Sequence, residues 1–540
     1  MTSTKYQNIS LDHEESSLIQ DIENNSHIPM DSNSNSNSSS NSNISLNNTK
    51  YETLGQDDDS DIFVYKDDRE YLSPTKNKVL EERVAEEIVN FNDDDRIELI
   101  RHQSSNRDNI VDKKLQDTIL NVEKSSIFGS TFNFTNSIIG AGVIGMPLAM
   151  KEAGLISGIT LLVSLTLLVD WTVGVLIKDS KLSGQKTYQG LMYFCYGKFG
   201  FLIISLFQFI FAYGGMCAYS IIVGDTISTV LAQYISPNFF AYGILTSRSA
   251  IICLTTFFII LPLSLNRDMS KLSKTSFLSL LGIMIVTISV IWEGLKVPDE
   301  SKGDPTQRLT YINKDIFQCI GVISFAFVCH HNSLLILGSL KKPSMDRFAT
   351  VTHLSTGWSF LVSIAIALGG YLVFTDKTEG NILNNFPQDS HLINISRLLF
   401  AFNMFLTSPL ECFVCREVIL NLLNPNSVIG GGDNINNEET KENKLFGGIE
   451  HFVVTIALIL CSLYIALTIN DLGFVLEITG GFSATMLAYI LPTACYCKLI
   501  EGSFTSKKKI PYVLCIIFGF IVMLISTLLS IYNYCNLKSS

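Results

Sequence analysis

Long apolar runs fill residues 125–540 and constrain the fold of this chain more than any other feature of its sequence. Each run is close to the roughly 20 residues that a helix needs to cross a bilayer, and a lipid-facing backbone must be helical to satisfy its own hydrogen bonds. The alternating pattern of a transmembrane β-barrel is missing. We therefore predict an all-α polytopic membrane protein with about 11 spans, numbered in chain order: 127–149, 155–177, 200–231, 247–265, 272–292, 315–338, 353–375, 393–415, 449–469, 473–497 and 511–535.

The first 124 residues differ in composition from the rest of the chain. They hold 13 Lys and Arg against 26 Asp and Glu, and residues 31–49 are rich in Ser and Asn. Such a segment buries too little apolar surface to offset the entropy of ordering. We expect a disordered acidic tail over residues 1–124 and a transmembrane domain over residues 125–535. With 16% charged residues overall and no basic patch, neither a soluble enzyme nor a nucleic-acid partner is expected.

The positive charges between the spans predict the orientation. Seventeen Lys and Arg fall in the gaps on the same side as the tail, and nine fall on the other side. Loops rich in Lys and Arg stay in the cytosol. No short apolar run follows Met1 as in a cleavable signal peptide, so we expect a cytosolic N-terminus.

Spans 1 and 6 contain residues that interrupt helices. Span 1 has three glycines and Pro147 within the run 136–147, and span 6 carries His330 and His331 in an apolar context. Small residues could serve close helix packing alone. Alternatively, both helices unwind and offer free N–H and C=O groups to a substrate and a cation. Because the two breaks lie five spans apart, an odd number, spans 1–5 and 6–10 would form an inverted repeat.

Several motifs resemble the amino acid/auxin permease family, which includes fungal vacuolar amino acid transporters and animal sodium-coupled neutral amino acid transporters. The resemblance covers roughly residues 125–535. Three shorter motifs are most similar to the fungal vacuolar branch: 169–172, 187–189 and 224–227. The main motifs are the run 136–147 followed by 149–154, the sequence 329–332 in span 6 and the sequence 409–418 in span 8.

The resemblance implies a 5+5 inverted repeat of LeuT-like type with an eleventh helix, and amino acid transport coupled to H⁺ or Na⁺. It implies no catalytic residues, no metal site and no cofactor beyond the coupling ion. The substrate would bind at the two breaks, where its carboxylate meets N–H groups of span 1 and its ammonium meets carbonyls of span 6. The predicted substrate-binding residues are Ile139, Gly140, Ala141, Gly142, Val328, Cys329 and His330.

The predicted ion-coupling residues are Asn136, Thr407 and Glu411. In sodium-coupled relatives an Asn in span 1 and a Thr in span 8 help to hold the cation, and Asn136 and Thr407 occupy these motif positions. Both side chains could instead make ordinary interhelical hydrogen bonds. Glu411 lies one turn after Thr407, so it is a candidate proton relay, or else the ion-pair partner of Arg416.

Three further polar groups within the spans are weaker candidates for coupling. Asp225 in span 3 and Glu477 in span 10 are membrane carboxylates, which are typical of proton relays. His330 has an ordinary pKa between the acidity of a lumen and that of the cytosol, but it could equally hydrogen-bond a carbonyl freed by the break.

We therefore expect a secondary active transporter of amino acids, chiefly neutral ones, that works by alternating access in the vacuolar membrane and is proton-coupled. The endoplasmic reticulum and the plasma membrane are the alternative locations. The alternative functions are sodium-coupled amino acid transport and an amino acid sensor of transporter-like fold that signals through its tail. Two acidic dileucine-type sequences, at 14–19 and 95–100, predict sorting adaptors as partners of the tail, beside the substrate and the lipid bilayer.

Overall fold

The computed structural model describes residues 125–265, 276–423, 441–500, 502 and 506–539. Within these ranges the chain is almost entirely helical, and an isolated β-bridge joins Ser125 to Leu340. The prediction of an all-α fold is confirmed. The predicted tail over residues 1–124 lies outside the described residues, as do the sorting signals expected in it.

Nine helical stretches in the described ranges are long and apolar enough to cross a bilayer, with spans 6 and 10 counted across their interruptions. Spans 1 and 4 consist of shorter helices. The long helices of the other spans are Leu155–Ser183 (span 2), Tyr188–Tyr234 (span 3), Ser276–Gly294 (span 5), Met345–Phe374 (span 7), His391–Leu423 (span 8), Lys441–Thr468 (span 9) and Ile510–Ser539 (span 11).

Four spans are interrupted. Spans 1 and 6 break where the glycines and the histidines predicted, whereas π-helical turns in spans 4 and 10 were not predicted. The pieces are Ile127–Ile138, the 3₁₀ turn Ala141–Gly145 and Met146–Ala153 in span 1; Arg248–Thr255, the π-turn Thr256–Ile260 and Leu261–Ser264 in span 4; Ile316–Phe327 and His330–Ser339 in span 6; and Leu472–Ile478, the π-turns Thr479–Ala484 and Met486–Ile490, and Leu491–Leu499 in span 10.

Short helices lie in the connections between spans. The α-helix follows span 3. One 3₁₀ turn lies in the loop before span 6, and two lie in the loop after span 7. Their bounds are Tyr242–Leu245 for the α-helix, and Pro305–Gln307, Thr375–Lys377 and Ile382–Asn385 for the 3₁₀ turns.

The long helix Tyr188–Tyr234 contains a kink at Gly197 with φ +62°. The part after the kink is span 3, in agreement with the predicted start at residue 200, and the part before it is a separate connecting segment. The hydroxyl of Tyr188 donates to the Leu487 carbonyl at 3.0 Å, and that of Tyr196 donates to the Ala494 carbonyl at 2.8 Å. Both acceptors are in span 10, so these tyrosines fix the connecting segment across the end of that span.

The turn between spans 1 and 2 depends on Gly154. Its φ of +85° lies in the left-handed region that side chains disfavour. A Cβ at this position would also approach the Ile312 backbone nitrogen to 3.1 Å. The first residues of span 2 bind the same loop, since the N–H of Ser157 donates to the Tyr311 carbonyl at 3.0 Å. The loop before span 6 therefore covers the end of span 1.

The packing of the spans places span 1 and span 6 at the centre. Span 3 packs along span 8, span 7 packs along both halves of span 1, and span 6 contacts both span 1 and span 10. In the apolar 18-residue core of span 10, 78% is buried inside the protein, whereas the corresponding stretches of spans 9 and 11 are only 33% buried. Spans 9 and 11 are thus peripheral. The inverted repeat of spans 1–5 and 6–10 remains a prediction.

Candidate functional site

The breaks of spans 1 and 6 meet inside the bundle. A Cβ built on Gly142 would lie 2.6 Å from both Cα and Cβ of Ala326, so the two backbones are in direct contact. Only a residue without a side chain allows helices to approach this closely. The contact brings the unwound segments of the two spans to one buried place, as the sequence predicted.

The break in span 1 leaves backbone donors without partners. The backbone departs from helical geometry at Ile139 and Gly140, and the 3₁₀ turn starts at Ala141. The N–H groups of Ala141 and Gly142 come first in this turn, where no carbonyl one turn earlier can accept them. Ala141 is 1% exposed. Two buried donors at the start of a helical turn are suited to bind a carboxylate.

Gly140 and Gly142 differ in the space beside them. The nearest atom to a Cβ on Gly140 would be the Tyr219 hydroxyl oxygen, at 3.8 Å, which is an ordinary contact distance. Gly142 has no such room. Gly140 therefore has room for a methyl group, whereas Gly142 serves the contact with span 6.

The break in span 6 leaves carbonyl groups without partners. The first helix of this span ends at Phe327, and the Val328 N–H still donates to the Ser324 carbonyl at 3.1 Å. The next carbonyls along the chain, those of residues 325–327, are the last ones of this helix. The last carbonyls of a helix have no N–H donor one turn later. The Cys329 carbonyl differs, because it accepts from the Asn332 N–H at 3.1 Å and from the Ser333 hydroxyl at 2.9 Å. The carbonyls just before Val328 are thus better placed for an ammonium group than that of Cys329.

His330 is turned toward span 2. It is fully buried, and its Nε2 lies 3.0 Å from the Thr172 hydroxyl oxygen. The Thr172 hydroxyl is also placed to donate to the Leu168 carbonyl at 2.9 Å, an arrangement in which it accepts from His330 Nε2–H. The neighbouring His331 ring packs against Phe211 at a centroid distance of 5.2 Å. His330 therefore links spans 6 and 2.

Tyr219 connects the break in span 1 to Glu411 in span 8. Its hydroxyl oxygen and the Glu411 Cγ both lie 3.7 Å from the position of a Cβ on Gly215. The same hydroxyl oxygen is the nearest atom to the position of a Cβ on Gly140. Glu411 is therefore one side chain away from the candidate substrate position. Sequence reasoning missed Tyr219, because an isolated tyrosine in an apolar span carries no distinguishing pattern.

Glu411 and Arg416 have different surroundings. Arg416 donates from Nη1 to the Ser264 carbonyl at 2.9 Å and to the Thr455 hydroxyl at 3.0 Å, in spans 4 and 9. Glu411 Oε2 is buried and has no hydrogen-bond partner among the described residues. The ion pair considered from the sequence is therefore not the arrangement seen here.

The two predicted sodium ligands, Asn136 and Thr407, lie in the expected helices, but Thr407 is used locally. Its hydroxyl donates to the Asn403 carbonyl at 2.8 Å, within span 8. Asn403 in turn accepts from the Ser279 hydroxyl of span 5. This local bonding fits the alternative of a structural hydrogen bond, and the sodium role stays a prediction.

Span 10 contributes a third irregular segment that was not predicted. Its π-turn Thr479–Ala484 packs on span 6, and the Ser324 and Tyr489 hydroxyls lie 3.1 Å apart across the interface. The Thr479 side chain occupies the space beside Gly214 of span 3. π-Helical turns are frequent at functional sites. The adjacent Gly480 and Gly481 were a detectable signal, since glycine is otherwise rare in the middle of a stable helix.

A cavity of about 560 Å³ lies at the end of span 1 that is far from the tail. It is bordered by spans 1, 3, 6, 10 and 11 and by the loops before spans 8 and 10. None of the predicted substrate residues is among those that line it. Of the second-rank candidates, Asp225 pairs with Arg248 at 2.6 Å, and Glu477 lies in the wall. The lining carboxylates are Glu152, Asp225, Asp315, Glu379, Asp471 and Glu477.

Comparison with known proteins identifies the family. Residues 123–532 match the family described as "Transmembrane amino acid transporter protein". The chain is 37% identical over 441 residues to "Vacuolar amino acid transporter 2" of Saccharomyces cerevisiae, covering 80% of this chain and 90% of that protein. It is 36% identical over 409 residues to "Putative sodium-coupled neutral amino acid transporter 11" of Danio rerio, covering 75% and 86%.

These matches extend over the spans that carry the two breaks and Glu411. The relatives are named as transporters, so the chain is not expected to be an enzyme. The resemblance stated from the motifs is confirmed. This multi-pass membrane protein belongs to the transmembrane amino acid transporter family.

Proposed function

We propose that this protein is a proton-coupled secondary transporter that moves amino acids, chiefly neutral ones, across the vacuolar membrane. Two relatives support the parts of this proposal: one is named a vacuolar amino acid transporter, and the other is named for neutral amino acids. The family supports transport of amino acids in general.

The observation that carries the proposal is the meeting of the two breaks at Gly142 and Ala326. Span 1 offers buried N–H groups there, and span 6 offers the carbonyls at the end of a helix. An amino acid has a carboxylate that needs donors and an ammonium group that needs acceptors. The paired breaks match both ends of this zwitterion without a charged side chain, which suits a neutral substrate.

Contacts between spans 1, 2, 6 and 7 support alternating access by a moving bundle. His330 joins span 6 to span 2, and the Ser355 hydroxyl of span 7 donates to the Thr131 carbonyl of span 1 at 3.1 Å. The bridge between Ser125 and Leu340 ties the start of span 1 to the end of span 6. In this state the bundle is held together on the tail side, and the cavity lies on the opposite side. We propose that spans 1, 2, 6 and 7 tilt together against the other spans, so that the closed side opens and the cavity side closes.

Glu411 is the proposed coupling residue near the substrate. It is a membrane carboxylate with an oxygen that has no partner among the described residues, and it neighbours Tyr219, whose hydroxyl lies beside Gly140. Proton uptake on Glu411 would change the charge beside the substrate. Sodium coupling is the second candidate, favoured by the name of the Danio rerio relative and by the oxygen-bearing side chains of Asn136 and Thr407.

Transport into sealed vesicles tests the proposal directly. Purified protein in liposomes would be given labelled amino acids of neutral, basic and acidic type under an imposed H⁺ gradient, an imposed Na⁺ gradient or no gradient. We expect concentrative movement of neutral amino acids with the H⁺ gradient alone. Concentration driven by Na⁺ alone would overturn proton coupling, and the absence of amino acid flux in every condition would overturn the transporter assignment.

A further inference from the structure

The cavity far from the tail has a strongly acidic wall. Among the carboxylates that line it, Asp225 is neutralised by Arg248, and the exposed Glu379 lies at the rim. Lys151 is the lysine in the lining, and it donates to the Thr378 carbonyl at 3.0 Å. The remaining carboxylates are Glu152, Asp315, Asp471 and Glu477, and the two glutamates lie at the ends of spans 1 and 10.

The carboxyl groups of Glu152 and Glu477 lie within hydrogen-bonding reach of each other. Two ionised carboxylates at this distance repel, and neither can donate a hydrogen bond. A single proton held between them supplies the missing donor and removes one charge. The described residues contain no group of three or more His, Cys, Asp or Glu side chains suited to a metal ion.

Two buried oxygens at the same cavity lack hydrogen-bond donors. Glu152 Oε2 and Gln318 Oε1 have no partner among the described residues, and Gln318 is only 1% exposed. Both atoms are acceptors while the glutamate is ionised. Unsatisfied acceptors in a buried wall are costly, so this location favours a species that brings a donor. A proton is the smallest such species.

The described side chains that face Glu152 and Glu477 from the neighbouring spans are acidic or polar, and none of them is a cation. Asp315 of span 6 accepts from Asn533 of span 11 at 3.2 Å, and Cys319 of span 6 is close to Glu152. Asp471 accepts from the Phe474 N–H at 3.3 Å at the start of span 10, and Ser530 of span 11 adjoins Glu477. The nearest cation, Lys151, is already bound to a carbonyl. No arginine or lysine shown here takes the place of the proton.

We propose that Glu152 and Glu477 take up one proton from this cavity, and that this proton allows the cavity to close during transport. The inference rests on the proposed function and names the residues through which pH on the cavity side would act. The proton binds to one carboxylate oxygen, is shared with the other, and leaves again as a proton. Closing the cavity over two ionised carboxylates would require desolvating both charges, whereas the shared-proton pair carries only one.

The variants Glu152→Gln and Glu477→Gln test the proposal in liposomes. In each, an amide N–H can donate to the remaining carboxylate and imitate the shared proton, so the fold should be kept. Exchange of labelled amino acid would be measured as the pH on the cavity side is lowered. A one-proton requirement changes the wild-type rate by up to about tenfold per pH unit. With Glu411→Gln as the common background, so that the proposed relay does not titrate, we expect both variants to be independent of this pH within about twofold. A wild-type pH profile in both variants would overturn the proposal.

Glu379→Gln is the matched control, because it removes the same charge from the exposed rim of the same cavity. It should keep the wild-type pH profile. Infrared difference spectra between acidic and neutral pH provide a readout that does not depend on transport. With Glu411→Gln as the common background, we expect a protonated-carboxyl band that is kept in Glu379→Gln and lost in Glu152→Gln and in Glu477→Gln. Persistence of the whole band in both of the latter variants would also overturn the proposal.

The two proposals can fail separately. If the wild-type protein moves no amino acid, the transporter assignment fails, while the infrared band still tests the carboxyl pair. If the wild type is proton-coupled and both Gln variants retain its pH profile, the function stands and the pair is not the proton-loading site.

Discussion

Gly142 of span 1 lies against Ala326 of span 6 so closely that a Cβ on the glycine would come within 2.6 Å of the alanine Cα. This contact fixes the distance between the two breaks, and with it the position of the N–H groups of one break relative to the carbonyls of the other. The absence of a side chain at residue 142 is therefore a structural requirement of the site, while the backbone N–H of the same residue is among the donors proposed for the ligand.

Gly142→Ala should destabilise the protein, whereas Gly140→Ala should not. The methyl group on residue 142 must displace backbone atoms of span 6, which we expect to cost about 1–3 kcal/mol. The methyl group on residue 140 has room, but it would occupy space beside the substrate, so KM should rise at unchanged stability. Thermal unfolding in detergent and transport kinetics measure the two effects. Equal stability of both variants would contradict the assigned contact.

Thr172→Val should weaken the link between spans 2 and 6. It removes the acceptor of the buried His330 Nε2–H, and leaving that donor unsatisfied costs about 1–3 kcal/mol. Thr166→Val is the control, because the Thr166 hydroxyl donates to the Leu162 carbonyl within its own helix, at 2.7 Å. We expect a clearly larger loss of unfolding free energy at Thr172. If the two variants lose the same amount, His330 does not depend on this bond.

Glu411→Gln should fold normally and separate exchange from accumulation. The amide keeps the shape of the side chain, and Arg416 retains its partners Ser264 and Thr455. Without a titratable group, the variant should exchange labelled substrate at zero gradient but lose accumulation driven by a pH difference. Glu417→Gln, at an exposed position of the same helix, should behave like the wild type. Normal accumulation by Glu411→Gln would eliminate Glu411 as the relay.

Tyr219→Phe should raise KM for the substrate with little change in stability. Loss of one hydrogen bond to a substrate beside Gly140 corresponds to about 1 kcal/mol, or roughly a fivefold change. Tyr213→Phe is the matched control on the same span, where the ring stacks on Phe209 at 5.6 Å. An unchanged KM in Tyr219→Phe would place the substrate elsewhere.

The tail and residues 424–440 should both face the cytosol. The 17 positive charges on their side predict this orientation, with residues 295–314 on the opposite side. Protease protection of epitopes inserted in these three regions, measured in sealed vacuoles, should show cleavage from outside at the first two and protection of the third. Protection of the tail would reverse the orientation.

The sequence by itself determined the positions of most spans, the breaks in spans 1 and 6, and the family. These features are local, because about 20 consecutive apolar residues suffice to cross a bilayer, and glycine and proline weaken a helix wherever they stand. The π-turns in spans 4 and 10 were missed, although Gly480 and Gly481 mark the second of them. The helical connecting segment before span 3 was also missed, because its tyrosines are held by carbonyls of span 10.

Only the tertiary structure decided what each polar side chain faces. Arg416 is near Glu411 in sequence, yet it binds Ser264 and Thr455 on other spans. Glu152 and Glu477 are distant in sequence, yet they adjoin at one cavity. In a membrane span every face of the helix is apolar, so hydropathy does not reveal which side points inward. That direction is set by the packing of one helix on another, which brings together groups that no local pattern relates.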